Sequence, residues 1–386
     1  MYIIDKPYVS EYLMDIIINK DWAVLDNETI ENCGLEEDVL NLWSSEKAAE
    51  YYSQKEHPFI YSNSENSIGW IVKNLPDSNL TKYIKIFKDK FAFREALKDL
   101  YPDFYCTSLE YLDINYVEKE EYQFPLVLKP SVGYLNFGVR IIKEPDKWEA
   151  NVKRLHKEIA TNKSKYDENV VNSTVIMIEE LINGEDFSVD AYYDRNGTPV
   201  ILNLFKRLYK EDNLINEKLY ITSAALVEQH LSRITEFLKE LGRRFDIKNF
   251  PLNLEVRLNE NGTLMPIEVN PMRFASWCVS DIAKYAWKFN IYDYFETQKH
   301  PDWDNIIQNS DRKTYYAALV DIPKGFPKSS VQDFNFNGYL ENFSNVFEVR
   351  RINFRANPLF GVVFGSTSDE EELDMILNKE QGAFIS

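Results

Sequence analysis

The chain has 386 residues, 44% of them apolar, which is enough for a large core and for two or three domains. Its formal net charge of −18 argues against a nucleic-acid backbone as partner. No apolar run reaches a membrane span, no signal peptide opens the chain, and Cys33, Cys106 and Cys278 have no CxxC spacing, so a cytoplasmic protein without membrane contact, disulfide framework or structural zinc is expected.

In chain order, Tyr2–Asp5 reads as a strand and Ser10–Asn19 as a helix with Ser10 as N-cap. Trp22–Leu25 is a second strand, Glu36–Ser53 a helix, Pro58–Tyr61 a third strand and Ser67–Asn74 a short helix. That rhythm predicts a small open α/β domain, and without a GxGxxG it is not a dinucleotide site. A long amphipathic helix is expected over Leu80–Leu100, stopped before Pro102. Phe124–Lys129 and Val139–Lys143 read as strands around a turn, Pro145–Lys165 as a charged helix and Val175–Glu180 as a strand. Phe187–Tyr193 and Val200–Phe205 are strands joined at Asp194–Gly197, and Ser223–Phe245 is a long helix. Ser280–Thr297 reads as a helix, with a boundary near His300-Pro301. Strands at Tyr315–Ile322, Val346–Phe354 and Leu359–Phe364 and an acidic helix from Asp369 close the chain.

The most informative stretch is Leu252–Met272. Asn261-Gly262 is a hairpin signal between two apolar runs. Alternation puts Glu268 and Asn270 on one face of the returning strand, and the hairpin can carry Glu255 to the same place. Two carboxylates and an amide on apolar strands are costly without a cation, and hard oxygen donors suit Mg²⁺. A plain hairpin with solvated acids is the competing reading. Lys129 ends a buried strand and faces the turn Ser131–Gly138, whose Gly133 and Gly138 free the backbone to approach a phosphate; an ordinary hairpin with an exposed lysine is the alternative. Glu179-Glu180-Leu181-Ile182 runs into Asn183-Gly184 and Asp186. Glu179 and the following backbone could take an adenine and Asp186 a ribose, or these are solvated acids around a turn. Lys90 lies on a helix, and Arg257 and Arg273 flank the carboxylate hairpin, as anion partners or as surface charges.

In this order, the pieces resemble the ATP-grasp superfamily of carboxylate–amine/thiol ligases over roughly residues 80–300. The most specific element is Glu268-Val269-Asn270-Pro271, preceded by Glu255 thirteen residues earlier. The resemblance implies an α/β chain with an α+β core. An N-terminal open α/β domain would span 1–79, a two-subdomain ATP-grasp core 80–300 and a small C-terminal α+β domain 301–386. It makes Lys90 and Lys129 phosphate-binding lysines. The turn carrying Gly133, Asn136 and Gly138 becomes a loop that closes over the phosphates. Glu179, Glu180, Leu181 and Ile182 become the adenine hinge, and Asp186 the ribose acid. Glu255, Glu268 and Asn270 become ligands of one or two Mg²⁺ ions, a site that Mn²⁺ also suits. Arg273, and with it Arg257, would hold the transferring groups. The sequence departs from the pattern in the short Asp186, in Asn136 where serine is common, and in the two residues between Asn270 and Arg273.

The implied activity is ATP-dependent ligation: a carboxylate becomes an acyl phosphate, with ADP and phosphate as products, and an amine such as an amino acid or small peptide attacks it. The partners are then small-molecule carboxylates and amines, and a homodimer is compatible. A phosphotransferase or carboxylase on the same site, or a non-catalytic nucleotide-binding module, are the competing readings.

Overall fold

The computed structural model describes residues 1–32, 39–133, 137–162, 172–210, 217–323 and 326–386. Among these, the strands form three sheets. The first is parallel: β1 (Tyr2–Ile3), β2 (Val24–Leu25), β3 (Leu42–Trp43) and β4 (Tyr61–Ser62), in the order β3-β2-β1-β4. The second contains β5 (Cys106–Glu110), β6 (Leu126–Val132), β7 (Arg140–Ile142) and β8 (Asn172–Glu180), antiparallel in the order β5-β8-β6-β7. Its inner face packs on the helix Trp148–Asn162 through Leu126, Leu128, Ile142, Trp148, Leu155 and Ile178.

The third sheet contains β9 (Glu185–Tyr193), β10 (Pro199–Tyr209), β11 (Glu217–Thr222), β12 (Phe250–Leu258), β13 (Leu264–Pro271), β14 (Thr314–Asp321), β15 (Val346–Arg351) and β16 (Leu359–Thr367). It is antiparallel throughout, in the order β13-β12-β9-β10-β11-β14-β16-β15. The long helix Ala224–Phe245, capped by Ser223, lies against β10. One apolar core runs from the first sheet into the third. At that junction the Ser62 amide donates to the Met272 carbonyl at 2.8 Å. Among the described residues no helix is long and apolar enough to cross a membrane.

The structure departs from expectation where capping side chains outweigh apolar periodicity. Leu80–Leu100 is not one helix. Asp89 leaves the helical region (φ −87°, ψ 99°), and its carboxylate accepts from the Phe91 and Ala92 amides. Asn79–Lys88 ends there and Lys90–Ala96 begins, because an Asp side chain satisfies the orphan donors of a helix start. Ser44 likewise starts a helix at Ser45–Ser53, leaving Leu42–Trp43 as a strand; residues 36–38 of the expected Glu36–Ser53 helix lie outside the described residues. Ser280–Thr297 is divided: a 3₁₀ segment Ser276–Ile282 and helices Ala283–Ala286 and Ile291–Thr297, the last capped by Asn290. The C-terminal strands do not make a sheet of their own, because β14 pairs with β11 and extends the core sheet.

Candidate functional site

The hairpin β12–β13 turns through Asn259–Thr263, with Gly262 at φ 74°. Its register sets Glu255 opposite Glu268 and Asn253 opposite Asn270, so both carboxylates and both amides share one face. A bulge between Glu255 and Val256 absorbs one extra residue on β13. Asn270 donates to Glu255 at 3.0 Å and to Asn253 at 3.3 Å. Each carboxylate also faces a cation: Glu268 lies 2.7 Å from Lys90, and Glu255 lies 2.7 Å from Arg207. Burial raises the Glu268 pKa, but Lys90 more than offsets this and brings it down to about 2.

The helix break at Asp89 explains the lysines. In a continuous helix Lys88 and Lys90 would face different sides, since residues two apart do not meet. Across the break both reach one acceptor, the Gly133 carbonyl, at 3.1 and 3.3 Å. The turn after β6 therefore offers the lysines an oxygen at Gly133 and not the N–H expected there. Gly138, at φ 72°, gives its N–H to Glu158 at 3.3 Å, so this donor is also taken. A Cβ on Gly138 would come within 2.7 Å of Pro130, which accounts for the glycine by packing. Neither glycine lines the cleft, and Asn136 lies outside the described residues.

Lys129, on β6, is buried and lies 2.5 Å from Glu179 on β8, which also takes Arg94 at 3.1 Å. Burial pushes the Glu179 pKa up, but Lys129 and Arg94 prevail and hold it below the usual glutamate range. Its carboxylate thus neutralises two cations and is not the open acceptor for a base that the sequence suggested. Glu180 does not line the cleft, because alternation sends it to the opposite face of β8 from Glu179. Its N–H goes to the Tyr105 carbonyl at 3.1 Å, and that of Leu181 to Pro125 at 3.2 Å. Of the four residues expected as a hinge, Glu179, Leu181 and Ile182 line the cleft and Glu180 does not. Val127, Ile141 and Tyr209 complete an apolar end around Leu181 and Ile182. Gly184 turns the chain at φ 130°, where a Cβ would sit 2.2 Å from the Leu258 carbonyl.

Asp186 lines the cleft between two arginines. Its Oδ1 accepts from Arg207 Nε at 2.6 Å and its Oδ2 from Arg257 Nε at 3.0 Å. Arg257 also donates to the Ile182 carbonyl at 2.6 Å. It thus braces the apolar end, which corrects the expectation that it works beside Arg273. Arg207 was missed because its strand looked finished at Phe205. Strand β10 continues to Tyr209, and Arg207 joins Asp186 to Glu255.

Arg273 is buried and lines the other end of the cleft. It holds Glu65 with Nε at 3.0 Å and Nη2 at 2.6 Å. Glu65 is fully buried and also pairs with Lys88. Burial works against its charge, yet Lys88 and Arg273 keep its pKa below the usual range. No sequence signal marks Glu65, which lies in a capping run (Ser64-Glu65-Asn66-Ser67) two residues beyond a strand end. Lys88 sits in the same basic run as Lys90, but only the break shows that the two converge.

Lys90, Lys129, Glu179, Leu181, Ile182, Asp186, Glu255, Glu268, Asn270 and Arg273 line one cleft between the second and third sheets, about 1050 Å³ including its open mouth. Lys129, Val127 and Ile141 come from the second sheet. Glu255, Glu268 and Asn270 come from the third, and Arg273 from the segment just after it. The oxygen donors on the hairpin fit a hard cation. Among the described residues no group of three or more His, Cys, Asp or Glu could hold a metal alone. Such a cation would therefore need oxygens from a ligand, as Mg²⁺ does when it takes one or two carboxylates and substrate phosphates.

Comparison with known proteins agrees with this architecture. A family model described as an ATP-grasp domain matches residues 122–281. Among curated proteins no sequence matches significantly. The fold is similar to that of an L-amino acid ligase from Bacillus licheniformis, with a TM-score of 0.68 and 16% identity, covering 100% of this chain and 97% of that one. It is similar to N5-carboxyaminoimidazole ribonucleotide synthetase from Thermotoga maritima, with a TM-score of 0.60 and 15% identity, covering 100% and 98%. Biotin carboxylase from Campylobacter jejuni gives a TM-score of 0.62 and 12% identity, covering 95% and 87%.

Proposed function

We propose that this chain, which carries an ATP-grasp domain, is an ATP-dependent ligase that activates a carboxylate as an acyl phosphate for attack by an amine. The observation that carries the reading is the single cleft. It is lined by Leu181 and Ile182 as well as by Lys129, Lys90, Glu255, Glu268, Asn270 and Arg273. The slot around Leu181 and Ile182 suits a flat base, and Asp186 lines the same cleft for a ribose. The lysines suit a phosphate chain. Glu255, Glu268 and the Asn270 amide would hold Mg²⁺, which neutralises phosphate charge and so lets an anionic nucleophile approach.

A carboxylate oxygen attacks the γ-phosphorus, the bond to the β–γ bridging oxygen breaks, and ADP leaves with that electron pair. The amine then attacks the acyl carbon and phosphate leaves, with one proton lost from nitrogen. Positioning and charge compensation carry most of such a reaction. In the free protein Lys90 and Lys129 already have carboxylate partners, Glu268 and Glu179, in a buried site. Phosphate binding would then be an exchange of partners in which Lys90 turns from Glu268 to the nucleotide, leaving the Glu268 carboxylate to hold the cation. Arg273, aimed by Glu65, would hold the carboxylate or the oxyanion formed from it.

Carboxylase chemistry is the second reading, favoured by the likeness to biotin carboxylase. Phosphate release from ATP, measured against a matrix of amino acids, small carboxylic acids and amines with bicarbonate as a separate arm, tests both. Release that requires a carboxylate and an amine together supports ligation. Release with bicarbonate alone supports carboxylation.

A further inference from the structure

The segment Met272–Ile282 forms the wall of the cleft that carries Arg273, Ala275 and Ser276. Three of its non-glycine residues have left-handed backbone: Met272 at φ 69°, Trp277 at φ 58° and Cys278 at φ 52°. Side chains with a Cβ adopt this region at a cost, and such residues persist only where surroundings over-determine them. Each constraint here comes from a different part of the molecule. Glu65, beside the first sheet, holds Arg273. Asp190, on β9, accepts from the Ala275 amide at 2.7 Å and is itself held by Asn203 and Asn253 at 3.1 and 3.0 Å. Arg350, on β15, holds the far end.

Arg350 is the least expected of the three, because its strand lies at the opposite edge of the eight-stranded sheet from the carboxylate hairpin. It is buried, and its donors are spread over the strained turn. Nη1 reaches the Cys278 carbonyl at 3.0 Å, with the Trp277 carbonyl at 3.4 Å. Nη2 pairs with Asp281 at 2.9 Å, and Nε with Glu348 at 2.9 Å. The guanidinium is stacked 4.6 Å from the Phe364 ring centroid, with Tyr8 from the N-terminal part at 5.6 Å. Asp281 in turn accepts from Tyr292 at 2.6 Å. The planar fork satisfies two carbonyls and two carboxylates at once, more acceptors than the three donors of a lysine can meet.

We infer that Arg350 is a positioning residue: by clamping the left-handed Trp277-Cys278 turn it sets the cleft wall at Ala275–Ser276 and the place of Arg273. The C-terminal strands thereby act on the reacting end of the nucleotide without touching it. The inference rests on the ligase reading only for what Arg273 does once placed.

The test uses the full chain with Arg350→Lys and, because the buried site tolerates change poorly, Glu348→Gln, whose side chain is partly exposed. MgADP and the magnesium complex of the non-hydrolysable ATP analogue AMP-PNP are titrated calorimetrically. Hydrogen exchange is followed over peptides spanning 272–282. Arg350→Lys should bind MgADP within about twofold of the wild type but lose about tenfold in AMP-PNP affinity, because a small misplacement at the γ end is costly while the apolar end is untouched. Exchange over 272–282 should rise about tenfold. Glu348→Gln should move both in the same direction by less, and it carries the test alone if Arg350→Lys does not fold. Unchanged exchange over 272–282, or an equal loss of both nucleotides, overturns the inference. A wild-type chain that releases no phosphate with any carboxylate–amine pair would instead remove the ligase reading, leaving these binding results to stand.

Discussion

Replacing Lys129 by Met separates its pairing with Glu179 from the phosphate contact proposed for it. Lys129 and Glu179 are 5% and 2% exposed and 2.5 Å apart. Removing one member of such a pair strands the other, at about 3–5 kcal/mol when nothing else compensates. Arg94 remains 3.1 Å from Glu179, which reduces the expected loss to about 2 kcal/mol. The nucleotide loses one charge-assisted hydrogen bond, worth about 1.5–3 kcal/mol, or about 10- to 150-fold in Kd. The double variant Lys129→Met/Glu179→Gln removes the stranded charge as well. It should regain about half or more of the lost stability while MgATP binding stays weak. Urea unfolding and calorimetric titration read the two quantities separately. A double variant that binds MgATP within about twofold of the wild type would refute the phosphate role of Lys129. A single variant with unchanged urea midpoint would refute the pairing.

The remaining predictions concern charge and metal. Glu65→Gln should lose about 3 kcal/mol at neutral pH, since Lys88 and Arg273 are left buried with a weaker partner. Its stability should also vary less with acid: the folded Glu65 carboxylate is held below its usual range, so its contribution is complete above the ordinary glutamate pKa of about 4.3 and is lost as pH falls below that. A wild type and variant with parallel acid unfolding curves would contradict this. Glu268→Gln should fold normally yet lose about 100-fold in turnover at low Mg²⁺, with partial recovery at high Mg²⁺; wild-type turnover at low Mg²⁺ would take Glu268 out of the site. Asp186→Asn should destabilise the chain by about 1–3 kcal/mol, because Arg207 and Arg257 both lose a charged partner; a change of melting temperature no larger than that of an exposed Asp→Asn would contradict the bridge.

The carboxylate hairpin was legible because strand alternation and a turn signal leave few registers, and one of them puts Glu255 opposite Glu268. The order of Lys90 and Lys129 along the chain singled them out, and both line the cleft. What escaped the sequence depends on tertiary partners. Periodicity alone does not show that Asp89 caps a helix, so the convergence of Lys88 and Lys90 on Gly133 stayed hidden. Arg207 lies beyond the apolar part of its strand, where alternation no longer marks a buried position. Glu65 and Arg350 come from segments far along the chain from the residues they hold, and a lone charged side chain gives no sign that it will be buried with partners. The same reason explains Glu179, whose identity suggested an acceptor for a base while Lys129 and Arg94 already occupied it.

The most direct test of the central claim is the fate of the nucleotide. On the proposed function, Lys90, Lys129 and the carboxylate hairpin take the phosphate chain and the slot around Leu181 and Ile182 takes the base, so the γ-phosphate would meet Arg273 in the cleft they share. Turnover with a productive carboxylate and amine should therefore give ADP and phosphate in equal amounts, and hydroxylamine in place of the amine should trap the carboxylate as a hydroxamate. Substrate-dependent AMP and pyrophosphate, with no ADP, would contradict the account.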